Sequence, residues 1–324
     1  MAKPRIGRAL GALLQLGAGV VVTVTLLIAI ELIASRFVPP EPAGMLRRRD
    51  DFIVTTLGNL DLVPEMNPSP LVRDPYVLWR NKPGARKTQP INPRVFGRDE
   101  TWTVATDSAG FRGPERAYPP AHDGAYRILA VGDSVTFGFN VDQENTYPRR
   151  LEAVLRARHP GRTIEVVNAA VPGWSWVQGL RFLQAEGLRL RPDLVIAAHG
   201  TNDQFFRAEV TDRERLPVGG EPAPEIDVSQ DPFWLHTNTY RGLLMLAGQL
   251  RPGSGASPAC QEQIRENGVC RRVSVADIDR TVREMHAAVG AANADFLAMN
   301  LDFQETPAVQ GVRRTLEGPI AFLD

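Results

Sequence analysis

The hydrophobic pattern changes character three times along the chain. Residues 9–30 are nearly continuous apolar sequence, broken by Gln15, two threonines and a few glycines, with Lys3, Arg5 and Arg8 before them. About twenty apolar residues cross a bilayer as a helix, whereas the apolar region of a cleaved signal peptide is only roughly 7–15 residues long. The stretch runs on through Glu31 to Ser35 without a convincing cleavage site. The pattern therefore predicts a short tail at 1–8 and an uncleaved signal anchor over 9–34. Residues 35–70, rich in proline and mixed in charge, read as a stalk.

Residues 71–125 show short alternating pieces, such as 102–106, between turn signals at Asn81-Lys82-Pro83-Gly84 and Asp107-Ser108-Ala109-Gly110. They predict a small β-rich or irregular module with no readable chemistry. From residue 126 the pattern alternates. Strands are expected at 127–131, 163–169, 194–198, 295–299 and 320–323, and helices at 147–158, 176–190 and 275–292. Such alternation implies a parallel sheet with helices on both faces, an α/β domain over 126–324. A long insertion, about 205–272, separates the third strand from the next helix and carries one expected helix at 234–250. Its place at the carboxyl end of the sheet suits a substrate rim or lid, and equally a packing or partner-binding elaboration.

Charge adds an exclusion. Lys plus Arg and Asp plus Glu are 37 each, so the chain lacks the basic excess of an electrostatic nucleic-acid binder. The run Arg47-Arg48-Arg49 is neutralised at once by Asp50-Asp51 and reads as a solvated segment. Basic residues on both sides of the apolar span leave orientation close to a tie. Cys260 and Cys270, the only cysteines, lie ten positions apart in a polar, loop-like stretch. They read either as a disulfide-closed loop or as two unpaired thiols. The first needs an oxidising compartment, which favours an extracytoplasmic body. No metal site is expected, because no His or second Cys pair stands at ligand spacing.

The candidate chemistry lies at three strand ends. Gly132-Asp133-Ser134 follows the first strand, Asn168-Ala169-Ala170-Val171-Pro172-Gly173 closes the second, and Gly200-Thr201-Asn202-Asp203 follows the third. Open α/β sheets bind ligands at that edge. Acyl transfer needs a nucleophile and donors aimed at the developing oxyanion. Ser134 Oγ is the candidate nucleophile, with the N–H groups of Ser134 and Gly173 and the Asn202 side-chain amide as candidate donors. Asp133 and Asp203 read as loop-ordering hydrogen-bonders rather than bases.

One Gly-Asp-Ser is weak evidence; three motifs in order, each closing a strand, are far more specific. The arrangement resembles the SGNH/GDSL hydrolases, whose named residues are Ser, Gly, Asn and His in successive blocks. Ser134, Gly173 and Asn202 match the first three, and the lead-in from Asp107 to Gly113 resembles that of bacterial, membrane-anchored members. The resemblance implies a flavodoxin-like three-layer α/β/α sandwich, here preceded by a transmembrane helix and a small β-rich module. It implies an ester-hydrolysing enzyme acting through an acyl-enzyme, without a cofactor, on an ester-bearing substrate such as an acylated glycan or lipid. It also implies a single-pass protein of the inner membrane with a periplasmic catalytic domain.

One block departs from the pattern. The family's last block is Asp-x-x-His, and none of His122, His159, His199, His236 or His286 has an Asp three positions before it. The apolar stretch ending at Asp324 looks like the start of that block, which places the expected base three residues past Asp324, with Asp324 supporting it. The histidines present read as pocket-lining, surface or packing residues. Two other functions compete with the esterase: an O-acyltransferase acting on a cell-surface glycan, and a catalytically silent glycan-binding or assembly scaffold. Acyltransferase relatives carry an Asp-x-His pair upstream of the serine, and no such pair precedes Ser134.

Overall fold

The computed structural model describes residues 4–37, 52–53, 56–57, 60, 70–91, 100–118, 124–205, 208–216, 221–223, 237–240, 242–243, 256–299 and 322–323. Helix α1, Pro4–Phe37, opens the chain, and its Gln15–Phe37 portion is long and apolar enough to cross a membrane. Two antiparallel ladders follow. β1 (Leu71–Asp74) pairs with β2 (Leu78–Asn81), and β3 (Arg86–Pro90) pairs with β4 (Thr101–Ala105).

The alternating half begins with β5 (Tyr126–Gly132), a one-turn helix α2 (Ser134–Phe137) and α3 (Tyr147–Arg158). Then come β6 (Ile164–Asn168), α4 (Trp176–Ala185), β7 (Leu194–Ala198) and the short helices α5 (Thr201–Phe205) and α6 (Asp212–Arg215). The last elements are α7 (Pro258–Asn267), α8 (Val275–Ala291), β8 (Asp295–Met299) and β9 (Phe322–Leu323). β5 and β7 are nearly continuous buried apolar runs, as strands covered on both faces must be. The sheet order is β6-β5-β7-β8-β9 with every pairing parallel. In order of appearance this is the 2-1-3-4-5 winding of flavodoxin-like folds, which reverses between β5 and β7.

Alternation along the strands divides the core. Leu129, Val131, Val195 and Ala197 pack with Leu180 and Leu183 of α4 and Val282 and Met285 of α8. Ile128, Val166 and Ile196 face the other way, against Leu151 and Leu155 of α3. The first of these cores reaches beyond the sheet. Val77 of the β1–β2 turn and Leu78 and Trp79 of β2 belong to it, as do Ile53 and Leu57 from the stretch read as stalk. Both of these last side chains are about 1% exposed, so this stretch contributes apolar surface to the core.

Two expectations meet a different local structure, and a third falls largely outside the described residues. The expected helix at 176–190 ends at Ala185 and continues as a 3₁₀ turn, Gly187–Leu190. The polar stretch around the cysteines is not a loop but α7, capped by Ser257, opened by a proline in its first turn and stopped by Gly268 at φ 74°. Cys260 and Cys270 are disulfide-bonded and, with Ala208 and Ala256, make a small satellite core. Of the helix expected at 234–250, residues 238–240 and 242–243 are helical and the rest lie outside the described residues. This piece meets α1: the Glu31 carboxylate accepts from both backbone N–H groups of Asn238 and Thr239, from the Asn238 amide at 2.8 Å and from the Thr239 hydroxyl at 2.9 Å.

Candidate active site

β5 runs into Gly132, where a Cβ would stand 2.2 Å from Thr136 Oγ1 and 2.7 Å from the carbonyl oxygen of Ala198. Only glycine lets the ends of β5 and β7 and the first turn of α2 come this close. Asp133 then caps α2, its Oδ1 accepting from the Val135 N–H at 2.9 Å. Ser134 is the first helical residue, so its own N–H has no intrahelical acceptor. Its side chain is half-buried at the sheet edge.

The carboxyl end of α2 is held from the β-rich segment. Arg112, 4% exposed, donates to the carbonyls of Phe137, Gly138 and Val141. Its guanidinium lies over the rings of Phe137 (4.6 Å) and Trp102 (5.5 Å). Burial pushes this guanidinium down to about 10, partly opposed by the charge of Asp142. The backbone N–H of Arg112 reaches the carbonyl of Asn168 at the end of β6 (3.0 Å).

The turn after β6 carries Gly173 at φ 83°, in the left-handed region that favours glycine. A Cβ there would also stand 3.3 Å from the rings of Phe52 and Trp79. Two side chains hold the flanking peptides: Trp79 Nε1 donates to Pro172 O at 3.0 Å, and Arg272 Nη1 donates to Gly173 O at 2.7 Å. Arg272 is fully buried. It pairs with Asp212 at 2.7 Å, donates to Gln178 Oε1 at 2.7 Å, and lies over the ring of Phe52 (4.9 Å). Ser175 caps α4 in a box with Gln178 and donates its own hydroxyl to Asp212 at 2.6 Å.

Asn202, in α5 after β7, ties these pieces together. Its Nδ2 donates to Asp133 Oδ2 at 3.1 Å and to Trp174 O at 3.0 Å. Both partners accept, so the amide orientation is fixed, and both of its N–H groups are engaged. Asp203 beside it is fully buried; its Oδ1 accepts from the Trp176 N–H at 3.0 Å, and burial pushes its carboxyl well above the usual range. His199 packs on Trp176 (5.1 Å between ring centroids) and against Gly179, where a Cβ would sit 2.5 Å from Nε2. Burial pushes its imidazole down to about 3.

The sequence profile of the GDSL-like Lipase/Acylhydrolase family matches residues 130–315, which include all three strand-end motifs. The chain belongs to that family. It is therefore an ester-hydrolysing enzyme of the GDSL type. Similar solved structures include the SGNH-hydrolase family esterase AlinE4, 17% identical, with 63% of this chain and 77% of that one covered at a TM-score of 0.35. The lipase/acylhydrolase from Enterococcus faecalis is 16% identical over 61% of this chain and 75% of its own, at a TM-score of 0.36. A variant of the acetyl xylan esterase Axe2 from Geobacillus stearothermophilus is 15% identical over 62% and 77%, at 0.35. No curated protein matches the chain.

In this GDSL-type chain the fold brings three of the four expected residues to one sheet edge. Asn202 is bonded to the residue before Ser134 and to the residue after Gly173. Asp324, His122 and His236 lie outside the described residues. Asp133 and Asp203 both accept hydrogen bonds from loop and helix-start N–H groups. Sequence reasoning missed Trp79, Arg272 and Phe52 altogether. Arg112 lay within the recognised lead-in but was given no role there.

Proposed function

We propose that this protein is a membrane-anchored, extracytoplasmic serine esterase that works through an acyl-enzyme on Ser134. The observation that carries this reading is the placement of Ser134, Gly173 and Asn202 at the β5/β7 switch point, cross-linked by the two hydrogen bonds of Asn202. Ser134 Oγ attacks the ester carbonyl. The N–H groups of Ser134 and Gly173 receive the oxyanion, and Asn202 adds a third donor by turning one N–H from Asp133 to the substrate. Collapse of the tetrahedral intermediate expels the alcohol, and water then releases the acid.

The described histidines are placed for other work: His159 closes α3, His286 packs on Phe296, and His199 is buried under α4. In this reading Asp324 is the carboxylate that orients the base. The apolar length of α1 supports the anchor and the disulfide supports an oxidising compartment. The contact of Glu31 with Asn238 and Thr239 supports a rim held near the bilayer, suited to an acyl ester on a surface glycan or a lipid.

The test is hydrolysis of short p-nitrophenyl esters by the full-length protein in detergent or vesicles. Turnover by the wild type that disappears in Ser134→Ala is expected. Equal turnover by the two proteins sinks the assignment of Ser134.

A further inference from the structure

The β1–β2 ladder shadows the turn that carries Gly173. Alternate residues of its second half all reach the same way. Val77 O accepts from Gln178 Nε2 at 2.7 Å, Asn81 Nδ2 donates to Ala170 O at 3.0 Å, and between them Trp79 exchanges two hydrogen bonds with the turn itself. Trp79 Nε1 donates to Pro172 O at 3.0 Å, and Trp79 O accepts from Trp174 Nε1 at 2.8 Å. Trp79 is 0% exposed, so its indole N–H must find an acceptor, and the one it takes is the carbonyl of the peptide that carries the Gly173 N–H.

The atom it grips matters. Pro172 C=O and Gly173 N–H belong to one planar trans peptide, so they point in opposite directions. Fixing the carbonyl fixes the direction of the N–H. On the other side of Gly173 the next carbonyl is held by Arg272 Nη1 at 2.7 Å, so both peptide planes flanking the glycine are clamped. A glycine at positive φ is the residue least able to hold such an orientation by itself.

We propose that Trp79 is a positioning residue for the hydrolytic reaction: its indole N–H aims the Gly173 N–H at the oxyanion, with Arg272 as the counter-clamp. The proposal rests on Gly173 being an oxyanion donor, the reading given above. It gives the β-rich segment a role in catalysis through the backbone of another element, without contact with substrate.

The test separates the N–H from the ring. Trp79 is replaced by benzothienylalanine, which keeps the bicyclic shape and loses only the donor, and by phenylalanine; Ser134→Ala is run in parallel. Both Trp79 variants are expected to lose about 10- to 100-fold in kcat at unchanged KM, part of the 10²–10³ that a whole oxyanion donor carries. Hydrogen exchange across residues 171–175, measured in the Ser134→Ala background, is expected to quicken with benzothienylalanine. Wild-type kcat and wild-type exchange in the benzothienyl protein would overturn the proposal, even if Trp79→Phe is crippled by a packing defect. If Ser134→Ala retains full turnover, the site assignment itself is lost, and the positioning role goes with it.

Discussion

Two buried arginines hold the two halves of the site, and they do it by different electrostatics. Arg272 sits on the Gly173 side with a carboxylate, Asp212, that is as buried as itself. Arg112 sits on the Ser134 side among carbonyl oxygens at the end of α2, with its guanidinium lowered by burial. A paired charge leaves an uncompensated ion when one partner goes; a charge solvated by helix-end carbonyls leaves only unsatisfied dipoles. The Gly173 half is therefore built to be rigid at a high penalty for failure, and the Ser134 half to tolerate more change.

The largest effect should come from Arg272→Met, which strands Asp212 and is expected to cost about 3–5 kcal/mol in urea unfolding. Adding Asp212→Leu should recover much of that loss, since removing both ions removes the stranded charge. Arg112→Met should cost less, about 1–3 kcal/mol, the penalty for leaving buried carbonyls unsatisfied. Equal losses for the two arginines would break the comparison.

The next effect is on pH. His199 has a folded value of about 3 against an ordinary value near 6.5, so the unfolded chain binds the extra proton between those limits. Stability that is complete above about pH 6.5 is then lost as pH falls toward 3, by at most about 1.4 kcal/mol per unit. His199→Leu should flatten this acid limb in melts taken from pH 7 to 4. Asp203 works the opposite way: burial raises its carboxyl in the fold, so its contribution falls as pH rises above the ordinary carboxyl value of about 4. Asp203→Asn should remove that opposing slope.

The smallest effect concerns the link between the halves. Asp133→Asn keeps a good helix cap and loses a charged acceptor for Asn202, so the expected stability loss is roughly 0.5–1.5 kcal/mol by denaturant titration. A larger loss would mean that the halves are joined more tightly than the single Asn202–Asp133 bond implies.

The parts of this site that could be read from sequence are those whose signal is local. An apolar run followed by Gly-Asp-Ser announces a strand end, and β7 and β8 fall where the runs at 194–198 and 295–299 place them. Trp79 and Arg272 reach the Gly173 turn across 93 and 99 positions of sequence, and no periodicity encodes such contacts. α7 is a different case. Its Ser-Pro start and Gly268 stop were visible, but its few buried residues, Cys260 and Gln263, make no apolar stripe. Helix ends were legible there, and the face that anchors the helix was not, because a disulfide replaces the usual apolar packing.

Phe52, resting on the Gly173 turn, sets a length scale. Fifteen residue steps separate it from Phe37, the last residue of α1. At no more than about 3.5 Å per residue, that span reaches roughly 50 Å. In the proposed anchored arrangement, with α1 in a bilayer, the Gly173 turn can stand no farther than that from the end of the helix.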